Sequence, residues 1–317
     1  MHFLIGLLAL ALFTAEPKMF AHTTLGLGSV CEIKFYAETE SAGNAALTAA
    51  IRQIELTDSL FSLFSDNSEV TKLNKQKTIR ASAWLLEAVR KSLKISSLSG
   101  GAFDISVYPL LEVWGFYDKK KLSSIPGSSV LKKARAKVGF RRIVVSADSI
   151  RLPADMKIDL GGIGQGFAAD LVINEFKKHG ITSALVNIGG EVAAMGRKPD
   201  GTKWQVGIKD PRHRGITRVV ALEDQALSTS GDYEKFFMLE GKRYAHIIDP
   251  RTGMPAQGCI SVTILAQDAA FADALATAVF VLGPAEGRTL IGSLENVGAI
   301  IYTEQDGKAH ETYVKGL

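Results

Sequence analysis

The chain has 317 residues, 46% hydrophobic and 22% charged, with a formal net charge of +4. That is the composition of an ordinary soluble globular protein, long enough for one large domain or two small ones. No long Lys/Arg run and no basic stripe interleaved with aromatics occurs, which argues against a nucleic-acid partner.

Residues 3–13 are almost wholly apolar. The run is too short for a comfortable transmembrane helix and fits the apolar region of a secretory signal. The expected signal peptide is 1–21, with a cut after Ala15 or Ala21 and a single mature domain over 22–317. Export would place that domain in the periplasm or another extracytoplasmic space. No cysteine ends the segment, so no lipoprotein anchor is indicated. The only cysteines, Cys31 and Cys259, lie in apolar runs and read as two small buried hydrophobes rather than a disulfide.

Residues 30–36 alternate and predict a strand. Helical spacing follows over 42–61. Residues 62–74 mix a polar loop with a short helix that Ser68 can cap. A further helix spans 82–98 and stops at Gly100-Gly101. The aromatic-rich loop that follows, through Trp114 and Phe116, is either a platform for a flat ring or a packed loop. Residues 123–129 look like a linker. Short strands are expected over 142–160, then a glycine turn and a helix over 166–178. Further strands are expected at 184–188, 204–208, 218–222, 233–239, 244–248 and 261–265, with closing helices at 271–282 and 286–294. Strands outnumber helices in the C-terminal half, which predicts an α+β fold with mixed antiparallel sheets and packed helices.

Three glycine-containing turns stand out. At 159–166, amides at a helix start favour phosphate, but the spacing is neither a dinucleotide fingerprint nor a Walker loop, so by itself the stretch reads first as a packing turn. Residues 187–191 form a second turn and 229–233 a third, polar one. No Gly-x-Ser-x-Gly elbow is present, so a serine hydrolase lacks its usual signal.

Two stretches carry the sharpest chemistry. In 245–253, a short strand runs into the turn Asp249-Pro250-Arg251-Thr252-Gly253. His246, fixed beside that turn, is a candidate general base; the alternative is a core histidine bonded to a carbonyl. In 269–283 the helix is apolar on nearly every side, and Asp273 and Thr277 interrupt it on one face. A buried carboxylate is costly unless paired or bound to a cation. With a hydroxyl beside it, the pair suits Mg²⁺; the alternative is a hydrogen bond to its own helix or to an arginine.

Several stretches, taken jointly and in order, resemble the ApbE family, the FAD:protein FMN transferases. They are Gly101-Ala-Phe-Asp-Ile-Ser-Val-Tyr-Pro-Leu with Trp114-Gly-Phe, Asp159-Leu-Gly-Gly-Ile-Gly-Gln-Gly-Phe-Ala-Ala-Asp, Val186-Asn-Ile-Gly-Gly, Ser228-Thr-Ser-Gly-Asp-Tyr, His246-Ile-Ile-Asp-Pro-Arg-Thr-Gly and Ala272-Asp-Ala-Leu-Ala-Thr. The likeness covers nearly all of the chain after the signal and implies an ApbE-like, T-fold-related single compact domain. It also implies a reaction: FMN passes from FAD to a Thr or Ser hydroxyl of a partner protein and AMP leaves, with Mg²⁺ on the pyrophosphate. His246 would be the base. Asp273, Thr277 and a carbonyl near Gly162 would hold the metal. Ala102, Phe103, Asp104, Asp159, Gln165 and Ile248 would line the flavin nucleotide. Many members of the family carry Lys where this chain has Gln165.

Acceptor sites in that family resemble Asp-Gly-x-Ser/Thr-Gly-Ala-Thr/Ser. Residues 200–203, 228–231 and 306–309 do not complete this pattern. The acceptor is therefore expected on another chain, an exported or membrane-bound protein. Two rival readings use the same residues: an FAD pyrophosphatase giving FMN and AMP, and an FAD-binding protein without turnover.

Overall fold

The structure, a computed structural model, describes residues 16–117, 124–305 and 308–315. The apolar segment 3–13, the first residue of the linker-like stretch, and Asp306 and Gly307 lie outside these.

The chain opens with an antiparallel hairpin, β1 (Lys18–Gly26) and β2 (Ser29–Ala37). Three helices follow: α1 (Glu40–Phe61), α2 (Glu69–Gln76) and α3 (Ala83–Leu98), with the short strand β3 (Thr78–Arg80) before the last. Ser68 caps α2 as the sequence suggested, and Ser82 likewise caps α3, the two accepting from Thr71 N and Leu85 N. Gly100 and Gly101 end α3 with positive φ. Then come α4 (Tyr108–Val113), α5 (Ser128–Arg135), the small strands β4 (Val144–Val145) and β5 (Ser149–Arg151), and α6 (Gly164–Lys178).

The second half supplies most strands: β6 (Ala184–Ile188), β7 (Glu191–Met195), β8 (Trp204–Lys209), β9 (Ile216–Leu222), β10 (Gln225–Gly231), β11 (Phe236–Leu239), β12 (Lys242–Ala245) and β13 (Ser261–Ala266). The long helix α7 (Ala269–Ser293) and the hairpin β14 (Gly298–Gln305) and β15 (Lys308–Val314) complete the fold. The main sheet has eight strands in the order β1-β2-β6-β7-β10-β13-β14-β15, every pair antiparallel.

Three layers follow from the pleat. On β7, Ala193 and Met195 face the core shared with α1 and α6, while Val192 and Ala194 face the β8–β9 hairpin through Trp204 and Leu222. Helices α1, α6 and α7 pack on one face of the sheet, and α3 packs behind α7. Helix α7 is long and apolar enough to span a membrane, but it lies in the core, with Ala272, Leu275, Ala276, Val279 and Phe280 fully buried. Gly283 (φ 78°, ψ 177°), followed by Pro284, breaks it at the expected place.

Several expectations are corrected. Residues 229–231 are not a turn; they end the central strand β10. Residues 156–163 form no strand, because side chains satisfy that backbone instead. Asn74 brackets Ile158 with two hydrogen bonds of 2.7 and 2.8 Å, and Lys77 Nζ donates to Met156 O. The strand expected at 244–248 stops at Ala245, and Ile248 returns only as an isolated bridge to Pro255. The end of the linker-like stretch starts α5. Both cysteines are buried and unpaired, as read.

Helices α6 and α7 cap one another. Gly166 N, in the first turn of α6, donates to Asp273 Oδ2 on α7 at 3.0 Å. Ala269 N and Ala270 N, at the start of α7, donate to the Asp170 carboxylate on α6 at 2.8 and 3.0 Å. Each carboxylate thus answers orphan amides and the positive end of the other helix. The crossing leaves no room for a side chain at Gly166, where an added Cβ would lie 2.3 Å from Ala269 O and 2.8 Å from Asp273 Cβ. Gly166→Ala must therefore part the helices. It should destabilise the fold by about 1–3 kcal/mol, read as a lower thermal midpoint; an unchanged midpoint would show that this crossing is not tight.

Candidate functional site

The mutual caps fix the floor of a cleft of about 740 Å³. Every residue the sequence nominated lines it: Ala102, Phe103, Asp104, Asp159, Gly162, Gln165, His246, Ile248, Asp273 and Thr277. The cleft gathers them from the loop after α3, the turn before α6, the segment after β12, and α7.

Asp273 is 5% exposed, and burial pushes its pKa up, to about 7. Its hydrogen-bond partner is neither its own helix nor an arginine but the Gly166 amide of α6. Thr277, one helical turn on, holds its Oγ1 3.1 Å from Ser230 Oγ at the end of β10. A Cβ on Gly162 would lie 3.7 Å from that same Oγ1 and 3.1 Å from the Phe103 ring, so the glycine turn closes over the pair. Among the described residues, no group of three or more His, Cys, Asp or Glu gathers as a metal cluster. The oxygen donors here are one carboxylate, hydroxyls and turn carbonyls.

His246 follows directly on β12. Its backbone N donates to Lys235 O at 2.9 Å, and its Nδ1 lies 3.1 Å from the same oxygen. The carbonyl selects the tautomer with hydrogen on Nδ1 and leaves Nε2 free to accept a proton. Surface accessibility makes the ring half-buried, while the cleft wall surrounds it on most sides, with Phe116 edge-on at 6.3 Å. Burial, with help from the Lys235 charge, lowers its pKa to about 4. The histidine is therefore neutral at pH 7 and competent as a base. The neighbouring Asp249–Arg251 pair has a different task. Arg251 donates to Asp249 through its backbone N, Nε and Nη2 at 2.8 to 3.0 Å, which locks the turn outside the cleft. Trp114 Nε1 pins the same turn by donating to Gly253 O at 2.8 Å.

The nominated nucleotide residues divide by what their polar atoms do. Asp104 is fully engaged in the loop: it accepts from Ser106 N, Ser106 Oγ and Phe140 N at 2.6 to 2.8 Å. Burial raises its pKa against those bonds. Asp159 accepts from Tyr117 OH at 2.6 Å and Gly161 N at 2.7 Å. Gln165 Nε2 donates to Ser29 Oγ at 2.8 Å, which ties α6 to the β1–β2 turn. The packed-loop reading of the aromatic stretch holds for Trp114. Trp114 is 1% exposed and stacks on Tyr244, whereas Phe116 and Tyr117 face the cleft.

Sequence reasoning missed Tyr117, Glu191, Ser230 and Lys235 as cleft residues. Ser230 and Glu191 stood inside glycine-bearing stretches read as turns. A period-2 reading of 225–231 would have exposed Ser228 and Ser230 as same-face residues of a strand.

The depressed His246 pKa has a signed consequence. The unfolded ring takes up a proton near 6.5 and the folded ring near 4. Between those values the unfolded chain binds more protons, so stability is lost as pH falls through that window. His246→Gln should reduce the acid-side loss. Denaturant midpoints of the metal-free protein at about pH 7 and pH 5 should differ less for the variant than for the wild type; equal losses would place His246 in an ordinary solvated setting.

A model of the ApbE family matches residues 27–301. The FAD:protein FMN transferase of Escherichia coli K12 is 31% identical over 277 residues, covering 83% of this chain and 77% of that protein. The one from Treponema pallidum is 32% identical over 310 residues, covering 90% and 85%. Among solved structures, the apo flavinyl transferase ApbE of Pseudomonas stutzeri superposes with a TM-score of 0.86 at 30% identity, over 96% of this chain and 97% of that one. The ApbE protein of Thermotoga maritima gives 0.85 at 29%, over 93% and 97%. With nearly the whole described chain matched in both sequence and fold, this α+β protein belongs to the ApbE family.

Proposed function

We propose that the chain is a flavin transferase that moves FMN from FAD to a Thr or Ser hydroxyl of a second protein, with AMP leaving. The observation that carries this reading is the convergence on one cleft of a neutral histidine, a buried carboxylate with a hydroxyl one helical turn on, and the free Gln165 amide at the start of α6. Phosphoryl transfer asks little else of a protein than a positioned hydroxyl and stabilised charge.

In this reading the acceptor hydroxyl gives its proton to His246 Nε2 as its oxygen bonds to the FMN phosphorus. The bond from that phosphorus to the bridging pyrophosphate oxygen breaks, and the oxygen leaves on AMP. Lys235 O holds the imidazole in the required tautomer throughout. Of the first-turn amides of α6, Gly164 N donates to Leu160 O and Gly166 N to Asp273, which leaves Gln165 N for a phosphate oxygen. The donor set fits Mg²⁺: Asp273 has one protein hydrogen bond, Thr277 offers a hydroxyl, and Gly162 adjoins them. When bound there, Mg²⁺ supplies charge neutralisation at the pyrophosphate.

Export completes the reading. Of the two cut points, Ala15 suits the fold and Ala21 does not. A cut after Ala21 removes residues 18–21 of β1, including Phe20, which stacks on Phe35 at 5.1 Å. N-terminal sequencing of the secreted protein should begin at Glu16; a start at His22 would contradict this.

The transfer reading is tested with FAD, Mg²⁺ and an acceptor protein carrying the family's acceptor motif. The acceptor should gain the mass of FMN, this chain should gain none, and AMP should appear only with acceptor present. His246→Ala should bind FAD and lose transfer by about 10²-fold or more. AMP without acceptor would indicate hydrolysis instead, FAD binding with no AMP would indicate storage, and covalent FMN on this chain would end the in-trans assignment.

A further inference from the structure

Glu191 is a cleft-lining carboxylate that the proposed reaction leaves unused. It is 7% exposed, yet it has a single side-chain partner: Ser228 Oγ donates to Oε1 at 3.2 Å. No described Lys or Arg pairs with it, and Oε2 has no protein partner. By contrast, Asp104 has both oxygens engaged and Asp273 accepts from a helix amide. A carboxylate nine-tenths buried, with one oxygen free at a cavity wall, calls for a donor from outside the chain.

Strand β10 sets where that donor must be. Leu227 pairs with Val192, which brings Ser228 beside Glu191 at the start of β7. Ser228 and Ser230 share one face of β10, about 7 Å apart. Ser230 in turn meets Thr277. Glu191 therefore lies one strand repeat along the cleft floor from the Asp273–Thr277 pair. That is the spacing between a nucleotide phosphate and the hydroxyls of the sugar attached to it. Gly190, the residue before Glu191, leaves the approach open: a Cβ there would meet nothing within 4 Å.

We propose that Glu191 binds vicinal hydroxyls of the substrate's polyol, either the ribityl chain or the adenosine ribose. The proposal rests on the reading of the cleft as an FAD site. Burial and the nearby Asp273 push the Glu191 pKa up, a setting that suits neutral hydroxyls, and among the described residues no group of three or more His, Cys, Asp or Glu gathers as a cation cluster. Vicinal hydroxyls satisfy both oxygens of a carboxyl group, much as an acidic residue reads ribose in dinucleotide-binding folds. Ser228 orients Oε1, and the β6–β7 turn is itself braced by Gly190 N donating to Asn187 Oδ1 at 2.9 Å.

The test is equilibrium binding without divalent metal, comparing wild type, Glu191→Ala and Glu191→Gln. The probes are FAD, riboflavin, adenosine, and the sugar-free lumiflavin and adenine. Glu191→Ala should weaken FAD by about 10-fold or more, with a matching loss for riboflavin if the contact is ribityl or for adenosine if it is ribose. Lumiflavin and adenine should be unaffected. Glu191→Gln, which keeps the shape and an acceptor for Ser228, should lose less in the same arm, and it carries the test should the alanine variant fail to fold. Wild-type affinity for every probe in both variants would overturn the proposal. So would equal losses for the sugar-free rings, or a loss confined to Mn²⁺ affinity in a parallel titration. Wild type that binds no FAD at all would overturn the flavin reading along with it.

Discussion

The site depends on two helices that cap each other. A carboxylate in a protein interior is costly unless donors satisfy it, and helix starts carry amides that need acceptors. At the α6–α7 crossing these two demands cancel. Asp273 accepts from Gly166 N, and Asp170 accepts from Ala269 N and Ala270 N. Burial and the nearby Asp268 raise the Asp170 pKa to about 7, so this corner is sensitive to its surroundings. The arrangement puts Asp273 and Thr277 against the glycine turn before α6, with β10 bringing Ser230 to the same point. The oxygens of Asp273 and Thr277, the glycine turn and the cleft floor are thus set by one packing contact. Gly166 is the residue that permits the approach.

Much of this was legible in the sequence because it follows local rules. The α2 and α3 caps, the Gly283 break and the Asp273–Thr277 face came from spacing and cap chemistry alone. What failed was non-local. Strand β1 overlaps a stretch that reads as the tail of a signal, and only its pairing with β2 makes it a strand. Strand β7 is buried along its whole length, so it lacks the alternation that marks a half-exposed strand. The polar run at 228–230 reads as a turn by composition. It is a central strand because Thr229 meets Thr263 across the sheet while Ser228 and Ser230 find Glu191 and Thr277. Each polar group is satisfied by a partner distant in sequence, and nothing local reports that.

The same limit applied to roles. The family resemblance nominates Asp104 for the nucleotide site, and Asp249-Pro250-Arg251-Thr252-Gly253 reads as a turn. The structure gives their polar atoms to loops: Asp104 braces the turn that presents Ala102 and Phe103, and Arg251 closes its own turn over Trp114. A motif collects residues that touch the ligand together with residues that hold those residues in place, and sequence does not separate them.

Gln165 shows how a departure from the family pattern can be absorbed. A lysine at this position would bring a charge toward a phosphate. The amide instead donates to Ser29 Oγ at 2.8 Å and reaches Leu27 O at 3.4 Å. Gly189 completes the junction: its φ of +69° and a Cβ position 2.6 Å from Gln165 Nε2 exclude a side chain there. The β1–β2 turn, the start of α6 and the β6–β7 turn therefore meet at one amide. Glu191 lies two residues beyond Gly189, so the contact that gives up a charge also fixes the turn that carries this carboxylate, whose partner is Ser228. Under the proposed reading, charge on the phosphate side of this cleft is then left to the Gln165 amide and to the cation that Asp273 and Thr277 would hold.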